Sequence, residues 1–314
     1  MISAVVPVFN EEESLEAFYT RLSKVLPKVD KEYEILFVDD GSTDTSLSIL
    51  KELAKKDKHI KIYSFRRNQG KAEALTYGFQ KAQGDYIVTL DADLQDQPEE
   101  IENLLKKANE GYDVVSGWRK ERKDAGKMKI ISKLFNGIMG MLWGVDLHDY
   151  NCGLKLYSKD VAKSLRLYGG MHRFIPLLAY EQGFTVTEIP VVHESRKFGK
   201  SKYGFSKVWK DLPDMFTIIF LTHYGKRPSH FFGVVGSVLF FIGLVFLSYL
   251  TYLHFFMRQS VGDRPLWSIG ILFVLVGLQI GFTGFLADLV TNVAQNNRMR
   301  DLSSYPIKYS SDIK

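Results

Sequence analysis

The residues best suited to chemistry lie in the run Val88-Thr-Leu-Asp-Ala-Asp-Leu-Gln95. The apolar stretch from Tyr86 to Leu90 reads as a buried strand that ends on two aspartates, Asp91 and Asp93. Side chains on an extended chain alternate faces, so Asp91, Asp93 and Gln95 are expected to share one. Two carboxylates at a strand end can grip one hard divalent cation, Mg²⁺ or Mn²⁺, and leave coordination positions open for phosphate oxygens. An isolated Asp-x-Asp is more often a pair of solvated loop acids, because acids at strand ends are common. The surrounding motifs carry the weight.

Two such motifs close the earlier strands: Val6-Pro-Val-Phe-Asn-Glu11 and Phe37-Val-Asp-Asp-Gly-Ser-Thr-Asp44, the second with acids placed to accept from a base or ribose. Each alone reads as a capped strand–helix turn. Arg66-Arg-Asn-Gln-Gly-Lys-Ala-Glu-Ala74 is a basic loop, containing Lys71, that leads into a helix N-terminus, a place that favours anions. Further on, Arg196, Lys197, Lys200 and Lys202 lie beside Gly199, and such a run can close over polyanions through charge-assisted hydrogen bonds. It equally suits a juxtamembrane strip that attracts anionic lipid, and both can hold at once.

The elements that must position these residues alternate. Strands are expected at Ile2 to Phe9, Glu34 to Val38, Ile60 to Phe65, Asp85 to Leu90 and Asp113 to Gly117. Helices are expected at Glu11 to Leu26, Thr45 to Lys56, Lys71 to Ala82 and from Pro98. Asn10 and Glu13 make a capping box for the first helix. The alternation predicts an α/β domain with a mostly parallel sheet, its ligands at the carboxyl ends of the strands. No Gly-x-Gly-x-x-Gly follows the first strand, which argues against a dinucleotide-binding domain. Lys127 to Trp143 and Phe205 to Phe220 are amphipathic. Either segment can cover the sheet or lie in a membrane interface, and the interface is favoured for the second.

The 314 residues suffice for about two domains. Phe231 to Phe256 and Trp267 to Ala287 carry no Asp, Glu, Lys or Arg. Each is long enough to cross about 30 Å of hydrocarbon as a helix, and together they predict a membrane hairpin. Its glycines fit close helix packing in lipid. Met1 leads directly into Ile-Ser-Ala-Val-Val-Pro without a signal-peptide pattern, so the soluble part and both termini are expected in the cytoplasm of a plasma (inner) membrane protein. Lys226, Arg227, Arg298 and Arg300 agree with that side, whereas Arg258 and Arg264 in the short outer loop weaken the argument. The sole cysteine, Cys152, excludes an intrachain disulfide and a cysteine cluster for zinc. The formal charge of +5 is modest, and no nucleic-acid partner is expected. The division expected is 1–204 catalytic, 205–229 amphipathic, 230–290 two spans (about 231–256 and 266–288), and 291–314 a tail.

The order of the motifs is more specific than any one of them. It resembles glycosyltransferase family 2, whose members have a GT-A fold that binds a nucleotide sugar. The resemblance runs from Ile2 to about Tyr203. His193-Glu-Ser-Arg-Lys-Phe-Gly-Lys-Ser-Lys-Tyr-Gly204 and Asp149-Tyr-Asn-Cys-Gly-Leu-Lys155 look like the polyprenyl-phosphate branch, which includes dolichol-phosphate mannose synthases and bactoprenol-phosphate glucosyltransferases. Two C-terminal spans look most like the bactoprenol type. No Gln-x-x-Arg-Trp motif is present, which puts polymer synthesis in doubt.

The resemblance implies that Pro7, Phe9, Glu11 and Asp39 line the nucleoside pocket, and that Lys71 and Asp91 contact the nucleotide sugar. Asp91, Asp93 and Gln95 would hold Mg²⁺ or Mn²⁺ on the donor diphosphate. Arg119, Arg196, Lys200 and Lys202 would bind phosphates of donor or acceptor. Asp93, Asp149 and Arg196 would be the catalytic residues, with Asp149 either orienting the sugar or accepting a proton. The implied activity is transfer of a single hexose, glucose from UDP-glucose by preference, to a membrane polyprenyl phosphate. The partners would be the nucleotide sugar, the lipid and further copies of the chain. A mannosyl or other sugar transferase of the same branch is the nearest alternative. A non-catalytic nucleotide-sugar sensor is the reading from another class.

Overall fold

The computed structural model describes residues 1–120, 137, 144–145, 147–194, 220, 224, 227–262 and 264–299. Arg196, Lys200 and Lys202 lie outside the described residues, as do the two amphipathic segments apart from Gly137 and Phe220. The described chain divides into two compact units, one carrying a sheet and the other two long C-terminal helices.

The sheet has seven strands: β1 (Ile2–Val8), β2 (Tyr33–Asp39), β3 (Ile60–Ser64), β4 (Tyr86–Thr89), β5 (Val114–Trp118), β6 (Lys155–Ser158) and β7 (Val186–Pro190), in the order β3-β2-β1-β4-β6-β5-β7. β1 pairs parallel with β2 and β4, as do β2 with β3 and β5 with β7, whereas β6 runs antiparallel between β4 and β5. Ala4, Val5 and Val6 are fully buried, as a strand covered on both faces requires. The helices are α1 (Leu15–Val29), α2 (Ser46–Lys56), α3 (Lys71–Lys81), α4 (Ile101–Ala108), α5 (Lys159–Ser164) and α6 (Ile175–Glu181). On α1, Leu15, Phe18, Leu22 and Leu26 recur at helical spacing and join the core cluster. The mixed order has a consequence for the site. Because β6 is antiparallel, the loop that enters it arrives at the same edge where β4 and β5 end.

The capping box at Asn10 and Glu13 is not formed. Asn10 has φ +53, and its Oδ1 accepts from the Thr43 N–H at 2.8 Å. α1 begins later, at Leu15. The Asn10 side chain bridges to the β2–α2 loop instead of capping its own helix, and Glu12 does the same through Thr45 N at 2.9 Å.

In the second unit, α7 (Pro228–Phe255) and α8 (Pro265–Met299) are both long and apolar enough to cross a membrane, with mean hydropathies of 2.4 and 2.2 in their spanning windows. Only 11% and 17% of those windows is buried, unlike core helices of a soluble domain. The two pack as an antiparallel hairpin: a Cβ on Gly236 would meet the Gly277 carbonyl at 2.6 Å, and one on Gly243 the Gly270 carbonyl at 2.7 Å. At the open end, the Ser229 N–H at the start of α7 donates to Asp288 Oδ1 on α8 at 3.1 Å, so one helix caps the other.

Candidate active site

The carboxyl ends of β2, β1 and β4 lie side by side. They place Asp39, the Phe9–Glu11 loop and the Asp91–Gln95 loop along one edge. Pro7 and Val8 of β1 pair in register with Val38 and Asp39. Asp39 is buried and accepts from Ser64 Oγ at 2.6 Å and Ser42 N at 3.1 Å. Glu11 Oε2 accepts from Ser14 Oγ at 3.2 Å. The neighbouring Asp40 holds the basic loop by its backbone, accepting from Gln69 N at 2.6 Å and Gly70 N at 2.9 Å. Burial raises the Asp40 carboxyl in spite of those bonds. The loop then delivers Lys71, first residue of α3, to Asp91, with Nζ 2.5 Å from Oδ1.

The strand β4 ends at Thr89, and Asp91 to Gln95 form a turn in which Leu94 has φ +63. Strand alternation therefore does not set the directions of Asp91, Asp93 and Gln95. The turn is held by side chains: Gln95 N–H donates to Asp93 Oδ1 at 3.1 Å, and Asp91 N–H to Asp96 Oδ2 at 3.3 Å. Desolvation works to raise the Asp91 carboxyl, yet the Lys71 ammonium prevails and holds it below the usual range. Asp96 goes the other way. Burial, then the charges of Asp91 and Asp93, push it up to about 7. Carboxyls this close together favour cations among them, and Lys71 is one such cation, at Asp91. The all-oxygen donor set suits a hard divalent ion. Among the described residues, no three His, Cys, Asp or Glu side chains converge on one point, so further ligands would come from Gln95, diphosphate or water.

The second half of the site comes from β5 and the loop entering β6. Arg119, just past β5, forms a buried two-bond ion pair with Asp149: Nε to Oδ2 at 2.6 Å and Nη2 to Oδ1 at 2.9 Å. Asp149 Oδ1 also accepts from Asn151 N at 3.0 Å. Glu188 of β7 accepts from the backbone N–H of His148 at 2.9 Å and of Asp149 at 3.3 Å. Four residues after Asp149 the chain passes Gly153. A Cβ there would lie 2.6 Å from Asp96 Oδ2 and 2.9 Å from Asp91 Oδ2. Only glycine lets this backbone lie against the two carboxylates, and Thr89 Oγ1 fastens it by donating to the Gly153 carbonyl at 2.9 Å. The two halves of the site thus meet at Gly153.

The structure brings together Pro7, Phe9, Glu11, Asp39, Lys71, Asp91, Asp93 and Gln95 on one side and joins Arg119 to Asp149 on the other. It adds residues that the sequence reading did not single out. Asp96, one residue past Gln95, was signalled only by its nearness to the two acids. Lys155 is buried at the start of β6 and donates to the Cys152 carbonyl; burial brings its ammonium down to about 8. His172 lies in the 3-10 turn Gly169–Arg173, which packs on α3. Among the described residues, its Nδ1 and Glu73 Oε2 are buried without a hydrogen-bond partner. Burial, then the charges of Lys71 and Arg173, push this imidazole down to about 3, so it is neutral.

This fold and these strand-end motifs define a glycosyltransferase of GT-A type, and the chain belongs to glycosyl transferase family 2, whose model matches residues 3–166. It is 36% identical to a dodecaprenyl-phosphate galacturonate synthase of Rhizobium johnstonii, over 92% of this chain and 87% of that one. It is 35% identical to an undecaprenyl-phosphate 4-deoxy-4-formamido-L-arabinose transferase of Proteus mirabilis, over 95% of this chain and 91% of that one. Among solved structures, glucosyl-3-phosphoglycerate synthase from Mycobacterium tuberculosis, in complex with Mn²⁺ and UDP-glucose, superposes with a TM-score of 0.54. At 19% identity, over 71% of this chain and 78% of that one, the likeness is one of fold.

Proposed function

We propose that this chain transfers one sugar from a nucleotide sugar to the phosphate of a membrane polyprenol. The observation that carries the reading is the junction at Gly153, where the loop bearing Asp149 and Arg119 abuts the Asp91 and Asp96 carboxylates. In this reading Arg119 is a phosphate-binding cation and the acids that Gly153 abuts belong to a cation-binding cluster. The names of the relatives support a polyprenyl-phosphate acceptor, and two helices long enough to span a membrane suit such a lipid.

In this mechanism Pro7, Phe9, Glu11 and Asp39 line the nucleoside pocket, and Asp91, Asp93 and Gln95 would hold Mg²⁺ or Mn²⁺. Bound there, the ion would neutralise the departing diphosphate. An acceptor phosphate oxygen forms the new bond to the anomeric carbon while the bond to the donor diphosphate breaks, its electron pair leaving with the nucleoside diphosphate. Direct attack inverts that carbon. The acceptor is already anionic near neutral pH, so no strong base is required, and positioning dominates. Asp149, which accepts from Arg119 and Asn151, orients rather than takes a proton. Arg119, Arg196, Lys200 and Lys202 complete the phosphate contacts.

The finer reading keeps UDP-glucose as the donor implied by the sequence resemblance, while the relatives' names place galacturonate and formamido-arabinose beside it. The division at about 204, 229 and 290, a plasma-membrane location with the catalytic unit cytoplasmic, and self-association through the glycine-rich helices belong to the same proposal. The test is incubation of the purified full chain with polyprenyl phosphate and a panel of labelled nucleotide sugars. Label entering the lipid phase from one donor supports the reading and names the sugar. Binding of donor without transfer from any of them would favour a sensor.

A further inference from the structure

We propose that Arg21, on the outer helix α1, is a positioning residue for the cation-binding loop and acts through the buried amide of Gln97. The inference rests on the proposed cation site at Asp91, Asp93 and Gln95. That loop contains an unfavourable conformation: Leu94 at φ +63, a left-handed region that an L residue with a side chain adopts only at a steric cost. Such a conformation persists only where its surroundings impose it. Part of the constraint is local, from Asp93 and Asp96 to backbone N–H groups. A second part comes from the chain at His193, which bridges Asp96, and from Glu194, whose N–H donates to the Gln95 carbonyl at 3.1 Å.

The third part is the Gln97 side chain, only 6% exposed. Its Nε2 faces the same Gln95 carbonyl at 3.5 Å, and its Oε1 accepts from Arg21 Nη2. Arg21 also grips Glu99, Nη2 to Oε2 at 2.7 Å and Nε to Oε1 at 3.3 Å. One guanidinium therefore holds both flanks of Pro98 and orients the amide that faces the Gln95 peptide. The two contacts differ in weight. The Arg21–Glu99 pair is half exposed, and such pairs contribute little. The Gln97 contact is part-buried, with Gln97 itself buried, and removing Arg21 leaves that amide oxygen without its cation. Arg21 touches no proposed ligand side chain; its effect reaches the cation through the peptide of one of them.

The experiment measures Mn²⁺ binding to the purified full chain in the presence of UDP, by calorimetry and by the manganese resonance signal, together with the melting temperature without metal. Arg21→Met and Gln97→Leu are expected to weaken Mn²⁺ binding about tenfold or more, the range found when groups supporting metal ligands are removed. Arg21→Lys is expected to recover part of the affinity, and Glu99→Gln to stay near wild type. The metal-free melting temperature of Arg21→Met should remain within a few degrees of wild type, because its side chain lies at the surface of α1. Unchanged Mn²⁺ affinity in both variants overturns the inference. So does a fall in melting temperature with no change in affinity, which would mark Arg21 as purely structural. If the wild-type chain binds no Mn²⁺, the cation site itself fails, and the result is distinguishable from failure of the Arg21 link alone.

Discussion

Arg119 and Asp149 face each other as a two-bond ion pair, with side chains only 10% and 6% exposed, across a loop that begins after β5 and ends before β6. A buried pair of this kind is costly to break by halves and often neutral to replace entire. Arg119→Met is therefore expected to destabilise the chain by roughly 3–5 kcal/mol. The double variant Arg119→Met, Asp149→Leu should regain most of that stability in urea titrations. Neither should transfer sugar. Wild-type turnover in a stable double variant would show that the pair is scaffolding and takes no part in the chemistry.

Gly153 offers a sharper geometric test. An added Cβ would press on Asp96 Oδ2 and Asp91 Oδ2 at 2.6 and 2.9 Å. Gly153→Ala should cost roughly 1–3 kcal/mol of stability, the usual range for overpacking, and should raise the cation concentration needed for half-maximal activity. Kinetics and cation dependence identical to wild type would mean that the two carboxylates move aside freely.

Glu34 sets part of the acid sensitivity of the fold. Its carboxylate is buried and accepts from Ser3 Oγ at 2.6 Å, Gln83 N at 2.7 Å and Lys61 Nζ at 2.6 Å. Burial alone would raise it, but those three donors bring it below its ordinary value. The folded state therefore binds this proton less readily than the unfolded chain. The stabilisation is complete above the ordinary glutamate value of about 4.3 and is lost as pH falls through the lower folded value. Glu34→Gln should cost roughly 1–3 kcal/mol at pH 7 and progressively less in acid. Denaturant titrations at pH 7 and pH 3 that show the same deficit would contradict this assignment.

The antiparallel packing of α7 and α8, with Asp288 of one against Ser229 N of the other, puts the start of the first helix and the far end of the second on one side. Reporter fusions at Met1 and at Lys314 should both read cytoplasmic. Opposite readings would exclude a membrane hairpin.

Much of the sheet was legible. β1 to β5 and α1 to α4 lie within a few residues of where apolar runs and turn residues place them, because each strand is a short buried run followed by a polar motif. β6 and β7 were not anticipated. β6 has four residues and opens on the buried Lys155, and β7, Val-Thr-Glu-Ile-Pro, is only half buried. Neither carries the unbroken apolar signature of the first strands. The site's residue types were visible, but its contacts were not. Arg119 meets Asp149 across 30 residues and Arg21 meets Gln97 across 76, and no local pattern encodes such pairs. Asn10 followed the capping pattern and bonded across to Thr43 instead, a tertiary contact that outcompetes the local one. The shared face expected of Asp91, Asp93 and Gln95 assumes an extended chain beyond the strand; the chain turns there instead, and the left-handed Leu94 leaves no mark in sequence.

The most direct measurement is metal-dependent transfer by wild type and Asp93→Ala side by side, with polyprenyl phosphate as acceptor and the donor that the panel identifies. Asp93 is buried in the turn after β4. Loss of its carboxylate should reduce the rate by about 10²-fold or more, in line with removal of other groups that stabilise developing charge, with an unchanged circular dichroism spectrum. Excess chelator should reduce the wild-type rate to a similar level, and Mn²⁺ or Mg²⁺ should restore it. Full turnover by Asp93→Ala, or full wild-type turnover in chelator, would contradict the account.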